Sequence, residues 1–268
     1  MQYKLLVLDL DGTLTNSKKE ITPRTQASLI RLQQMGVKLV LASGRPTYGI
    51  TPLAQALQMD CFGGYILAFN GGKILDASSL EVIYEQVLPC SIVPMLHAAA
   101  TKANSVILTY LKDNILTECP TDKYVAYESG LTKMQAIRVD NFSEAIDFNP
   151  DKCLIVGEPE DLIPLCEQLN AQFPQQLAAY RSEPFFLEVV PKGVDKALSL
   201  ERLLAHIGCS KEQMIAVGDG FNDLSMIQLA GLGVAMENAQ QEVKDAAQRV
   251  TLSNDQDGVA ALVEELFF

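Results

Sequence analysis

Three apolar runs of strand length fall in the first 75 residues, at 3–10, 37–42 and 65–69. Each is rich in Val, Leu and Ile and barely alternates with polar residues. A strand covered on one face only shows an alternation of period two. Runs without it belong to a sheet covered on both faces, which is the usual setting of parallel strands. Parallel neighbours need a crossover, and residues 22–36 supply one. Thr22 suits an N-cap, Pro23 the first helical position and Gly36 the stop, with Leu29, Ile30, Leu32 and Met35 as the apolar stripe. The opening segment therefore reads β-α-β-α-β.

The end of the chain repeats the pattern. Helices are expected at 198–206, 223–229, 240–248 and 258–266, and strands at 213–217, 233–236 and 249–252. Such alternation predicts a doubly wound, Rossmann-like α/β layer. The middle differs: short strands at 105–110, 114–117, 152–156 and 185–189 flank helices near 91–102 and 158–172. This is the pattern of an α+β insert. The expected organisation is a discontinuous core, 1–81 and 188–268, with an inserted domain over 82–187.

Composition excludes several classes of function. The chain has 268 residues, 48% apolar and 20% charged, which is ordinary for a globular protein with a full core. No apolar stretch is long enough to span a bilayer, and residues 1–6 lack a signal-peptide cleavage site. The expected location is cytoplasmic. A net charge of −12 with no basic run argues against nucleic acid and anionic membrane as partners. Six scattered cysteines form no C-x-x-C pair, and there are two histidines, His97 and His206, so a zinc site is not expected.

Four polar clusters follow predicted core strands, where open α/β sheets bind their ligands. In Asp9-Leu10-Asp11-Gly12-Thr13, carboxylates two apart in extended chain share one side, so one can attack while the other moves a proton. Thr13 offers a hydroxyl to a phosphate oxygen. In Ser43-Gly44-Arg45, a hydroxyl and backbone amides at a strand-to-helix turn suit a phosphate oxygen. Lys196, or Lys192 four residues earlier, could neutralise a phosphoryl group and nearby carboxylates. Gly218-Asp219-Gly220-Phe221-Asn222-Asp223 offers hard oxygen ligands of the kind Mg²⁺ takes. Singly, each cluster has a plainer reading: a turn, a helix cap, a surface lysine and a polar loop. G-x-S-x-G, the P-loop pattern and G-x-G-x-x-G are all absent.

Together, in order and spacing, the clusters resemble the haloacid dehalogenase (HAD) superfamily of phosphohydrolases. The nearest likeness is to its Cof-type branch, which carries an α+β (type IIB) cap. The likeness includes Phe69-Asn70-Gly71-Gly72, residues 191–196 and residues 253–260. It implies a phosphoric monoester hydrolase acting through an aspartyl-phosphate. Asp9 is then the nucleophile and Asp11 the acid/base. Mg²⁺ is held by the Asp9 carboxylate, the Asp11 backbone carbonyl and Asp219, with Asp223 and Asn222 supporting. Ser43 and Lys196 hold the phosphoryl oxygens, and Gly44, Arg45 and Asn70 face the substrate. Ala197 replaces the glycine that similar proteins carry after the lysine, which predicts a regular helix start. The implied partner is a small phosphorylated metabolite, sugar phosphates foremost, and the implied state a monomer or weak dimer. Tyr180 and Arg181 are candidate specificity residues, and the cap is expected to close over the site. Two rivals remain: a phosphotransferase or mutase on the same scaffold, and a non-catalytic binding module.

Overall fold

In the computed structural model, which describes residues 2–268, the chain forms two compact units. One comprises the residues up to Tyr84 together with Asp195–Phe268, and the other Glu85–Val194. Strands β1 (Leu5–Leu8), β2 (Lys38–Ala42), β3 (Gly64–Ala68), β4 (Lys73–Asp76) and β5 (Val82–Glu85) lead into a second set. These are β6 (Val106–Leu111), β7 (Asn114–Thr117), β8 (Gln135–Arg138), β9 (Cys153–Val156), β10 (Leu177–Glu183) and β11 (Phe186–Pro191). The chain then returns through β12 (Met214–Gly218), β13 (Leu232–Ala235) and β14 (Arg249–Val250).

The first sheet has the order β14-β13-β12-β1-β2-β3-β4-β5. From β14 to β3 every pairing is parallel, and β4 joins β3 antiparallel. This is the doubly wound α/β layer that the apolar runs imply. The strands β4 and β5 were not expected. They are four residues each, and Asp76 ends β4 by accepting from the N–H groups of Ser78 and Ser79.

Helices cover both faces. Leu5, Val7, Val40, Ala42, Leu67, Met214 and Ala216 pack with Leu200, Leu203 and Leu204 of helix Lys196–Ile207 and Met226 of helix Leu224–Leu229. Helices Pro23–Gln34 and Gly258–Phe267 pack on each other and bury Leu29, Leu32, Leu262 and Val263. Each fully buried side chain of this size contributes about 1.5–3 kcal/mol, so the sheet edge carrying the site is firmly fixed. Thr22 caps the first crossover helix, with its hydroxyl accepting from the N–H of Thr25.

The second unit holds the sheet β10-β11-β9-β6-β7-β8, antiparallel except for β7–β8. One face packs on helices Val93–Lys102, Phe142–Ala145 and Pro159–Gln172 around Leu96, Ile107, Phe142, Ile155 and Leu165. Elsewhere in the sheet Lys152 is buried against Glu188 at 2.8 Å, and Glu188 also accepts from Ser182. Helix Lys123–Thr132 and strands β8 and β10 go beyond the elements expected here. That helix contains Gly130 and three β-branched or aromatic positions in its first turns, so it shows little 3.6-residue pattern.

Candidate active site

The chain runs outward from β1 to β2 and β3 on one side, then returns to β12 on the other. The crevice at the carboxyl end of β1 is therefore the topological switch point, where such sheets hold ligands. Asp9 is the first residue past β1. Its N–H donates to Val217 O at 3.0 Å, and its carbonyl accepts from Leu14 N. The strand stops there because Leu10 O accepts from the N–H groups of Thr13 and Thr15, folding the chain into a turn.

That turn replaces the extended segment expected over Asp9 and Asp11. The two carboxylates meet different cations. Asp9 is buried and takes Lys196 Nζ at 2.7 Å on Oδ1. Asp11 is partly exposed and takes Arg45 on both oxygens, Nη2 to Oδ1 at 2.6 Å and Nε to Oδ2 at 2.8 Å. Lys19 Nζ adds a third contact, 2.7 Å from Asp11 Oδ1. Arg45 also donates to Gly49 O.

Lys196 is 1% exposed. Its ammonium donates to Asp9, to Asp223 Oδ1 at 2.6 Å and to Ala42 O at 3.0 Å. Lys192, by contrast, is exposed in the other unit. The regular helix start expected at Ala197 is present. Asp195, a residue not singled out in the sequence, caps the helix by accepting from Ala197 N and Leu198 N, and is itself bonded by Ser225.

After β12, Asp219 Oδ1 accepts from the Thr13 hydroxyl at 3.0 Å. Asp223 is wholly buried and has both oxygens engaged. Oδ1 takes Lys196, and Oδ2 takes the backbone N–H groups of Asp219 and Gly220. It thus holds the loop that carries Asp219. Gly12, at φ +84, faces Asp219, and a Cβ there would stand 2.3 Å from Asp219 Oδ2. Ser43 is buried past β2, its N–H bonded to Leu67 O and its hydroxyl accepting from Arg45 N. Asn70 has a left-handed backbone, lies against Gly44 and accepts from Asn222 Nδ2 at 3.1 Å.

Carboxylate oxygens of Asp9, Asp219 and Asp223 lie within 4.8 Å of one another. One ammonium faces three carboxylates, so the cluster is short of positive charge. Burial and then the Asp223 charge raise Asp9 well above the usual carboxylate range, against the pull of Lys196. The same causes push Asp219 up to about 6. Burial would lower Lys196, yet the charges of Asp223 and Asp9 raise it. Asp11 goes the other way. Burial raises it, but the bonds and charge of Arg45, then of Lys19, bring it below its ordinary value. A site of hard oxygens with unbalanced negative charge suits a divalent cation.

A family model for haloacid dehalogenase-like hydrolases matches residues 6–263. The chain belongs to the haloacid dehalogenase-like hydrolases. A Haemophilus influenzae protein described as "Putative phosphatase" is 36% identical over all of this chain and 99% of its own length. The crystal structure of a haloacid dehalogenase-like hydrolase from Bacteroides thetaiotaomicron superposes with a TM-score of 0.97 at 54% identity, over 99% of this chain and 100% of that one. A HAD subclass IIB sugar phosphatase gives 0.83 at 27% identity, over 98% of each chain. Within the superfamily this chain is of the Cof type, and as a member of it the chain is a phosphoric monoester hydrolase. Among the described residues no helix is long and apolar enough to cross a membrane.

Proposed function

We propose that the protein is a Mg²⁺-dependent phosphatase of small phosphate monoesters, with sugar phosphates as the leading class, and that Asp9 is its nucleophile. The observation that carries this reading is the buried Asp9 carboxylate at the switch point, bonded to Lys196 and within 4.8 Å of Asp219 and Asp223 oxygens. Mg²⁺ would be held by the Asp9 and Asp219 carboxylates and the Asp11 backbone carbonyl, with Asp223 and Asn222 supporting that loop. Bound there, it supplies charge that offsets the repulsion between a carboxylate nucleophile and a phosphate, and stabilises the transferring group.

The residues divide the work as follows. An Asp9 oxygen bonds to phosphorus while the ester P–O bond breaks, and Asp11 gives its proton to the leaving oxygen. Water then attacks phosphorus, Asp11 takes its proton, and the bond to Asp9 breaks. The pairing of Asp11 with Arg45 and Lys19 favours the ionised form needed in the second half. An anionic substrate competing for Arg45 shifts Asp11 back toward the acid needed in the first. Lys196, Ser43 and Thr13 bind phosphoryl oxygens, and Gly44, Arg45 and Asn70 contact the substrate.

The second unit, Glu85–Val194, is proposed as the cap that selects the leaving group, and the first as the catalytic core; the bounds expected from the sequence, 82–187, would cut strand β11 in two. The sugar-phosphate class rests on the likeness to a subclass IIB sugar phosphatase. The test is hydrolysis of p-nitrophenyl phosphate and a panel of phosphorylated metabolites with and without Mg²⁺. Turnover that needs the metal and is lost in D9N supports the proposal. No turnover with Mg²⁺ on any ester overturns it.

A further inference from the structure

The loop after Asp9 is gripped by side chains from the far end of the chain. Residues 16–20 form a tight turn. Asn16 N donates to Glu20 O at 3.0 Å, Lys19 N donates to Asn16 O at 2.8 Å, and Asn16 Oδ1 accepts from the N–H groups of Lys18 and Glu20. Lys19 itself stands at φ +63, a left-handed backbone that favours Gly or Asn over lysine. From this turn its ammonium reaches Asp11 Oδ1 at 2.7 Å.

The turn is tied down from outside. Asp255 accepts from Ser17 N at 2.8 Å and from Ser17 Oγ at 2.6 Å. Asn254 Nδ2 donates to Thr15 O at 2.9 Å, and its N–H donates to Asn238 Oδ1. Asn238 Nδ2 in turn donates to Gly12 O at 2.8 Å. Three side chains thus hold the loop at Gly12, Thr15 and Ser17. Residues 253–260 contain two of them, Asn254 and Asp255, and have no other place in the chemistry above.

We propose that Lys19 is a positioning residue for Asp11 and that Asp255 is the anchor that delivers it. Lys19 holds the Asp11 carboxyl group in place for proton transfer to the leaving oxygen. This rests on the reading of Asp11 as the acid/base. An exposed ion pair contributes little to stability, so a merely structural Lys19 would leave chemistry untouched. A purely electrostatic role in attracting anionic substrates would affect all phosphate esters alike.

The leaving group separates these cases. A p-nitrophenolate leaves with little need of a proton, whereas an alkoxide needs one. The experiment measures kcat/KM with Mg²⁺ for p-nitrophenyl phosphate and for the best sugar phosphate of the panel, in wild type, K19M, K19R, D255N and D11N. K19M is expected to lower the alkyl-to-aryl ratio by about tenfold or more, with K19R restoring most of it. D255N is expected to move the ratio the same way by a smaller factor. A ratio unchanged or raised in K19M, while D11N lowers it, overturns the proposal and leaves Asp11 as the acid/base. A ratio unchanged in D11N as well overturns both.

Discussion

Lys196 Nζ stands 2.7 Å from Asp9 Oδ1 and is buried with it. The same ammonium bonds Asp223, so a single cation holds the ends of β1 and β12 together from the start of a helix that follows the second unit in sequence. Removing one member of a buried ion network leaves uncompensated charge, at a cost of about 3–5 kcal/mol. K196M is expected to lose that much in urea unfolding and to lose activity. The double variant K196M/D223N is expected to recover part of the stability and none of the activity.

Gly12 offers a test of the metal-side geometry. At φ +84 any side chain is strained, and a Cβ would meet the Asp219 carboxylate at 2.3 Å. G12A is expected to displace Asp219 and lower kcat/KM about a hundredfold, since small misplacements of catalytic groups are costly. Circular dichroism should show the fold retained.

One part of the pH dependence of the metal-free protein follows from Asp219, and comparison with D219N isolates it. Its folded value, about 6, lies above the ordinary 3.8, so the folded state binds the extra proton between those values. Stability from this group is therefore greatest below about pH 4 and falls as pH rises through 6. The drop is at most about 3 kcal/mol, at 1.36 kcal/mol per unit. Chelated wild type should show this fall in melting temperature relative to D219N, in which the contribution is absent. Added Mg²⁺ should raise the wild-type melting temperature at pH 7 and leave D219N less affected.

The parts that were legible in the sequence are those set by local pattern. Fully apolar runs marked the parallel strands, and Thr22, Pro23 and Gly36 marked the first crossover. The strand-end position of Asp9, Ser43 and Asp219 followed from the same runs. Side-chain geometry was less accessible. The pairing of Asp9 with Asp11 was inferred from extended chain, but β1 ends at Leu8 and the turn after it sends the carboxylates to Lys196 and to Arg45 with Lys19. Asp223 was read as a support for the metal. It is bonded to two backbone amides of its own loop and to Lys196, a contact across 27 residues that no spacing rule reveals. Lys19 resembles any exposed turn lysine until its left-handed backbone is seen. Strands β4, β5 and β8, four residues each with charged members, carry too few positions to show a period.

The nucleophile is the central claim, and acid-quenched single turnover with peptide mass analysis tests it most directly. Wild type mixed with Mg²⁺ and p-nitrophenyl phosphate should show the mass of one phosphoryl group on the peptide bearing Asp9, absent in D9N and in metal-free samples. A phosphoryl group on another residue, or wild-type turnover by D9N, would contradict the account.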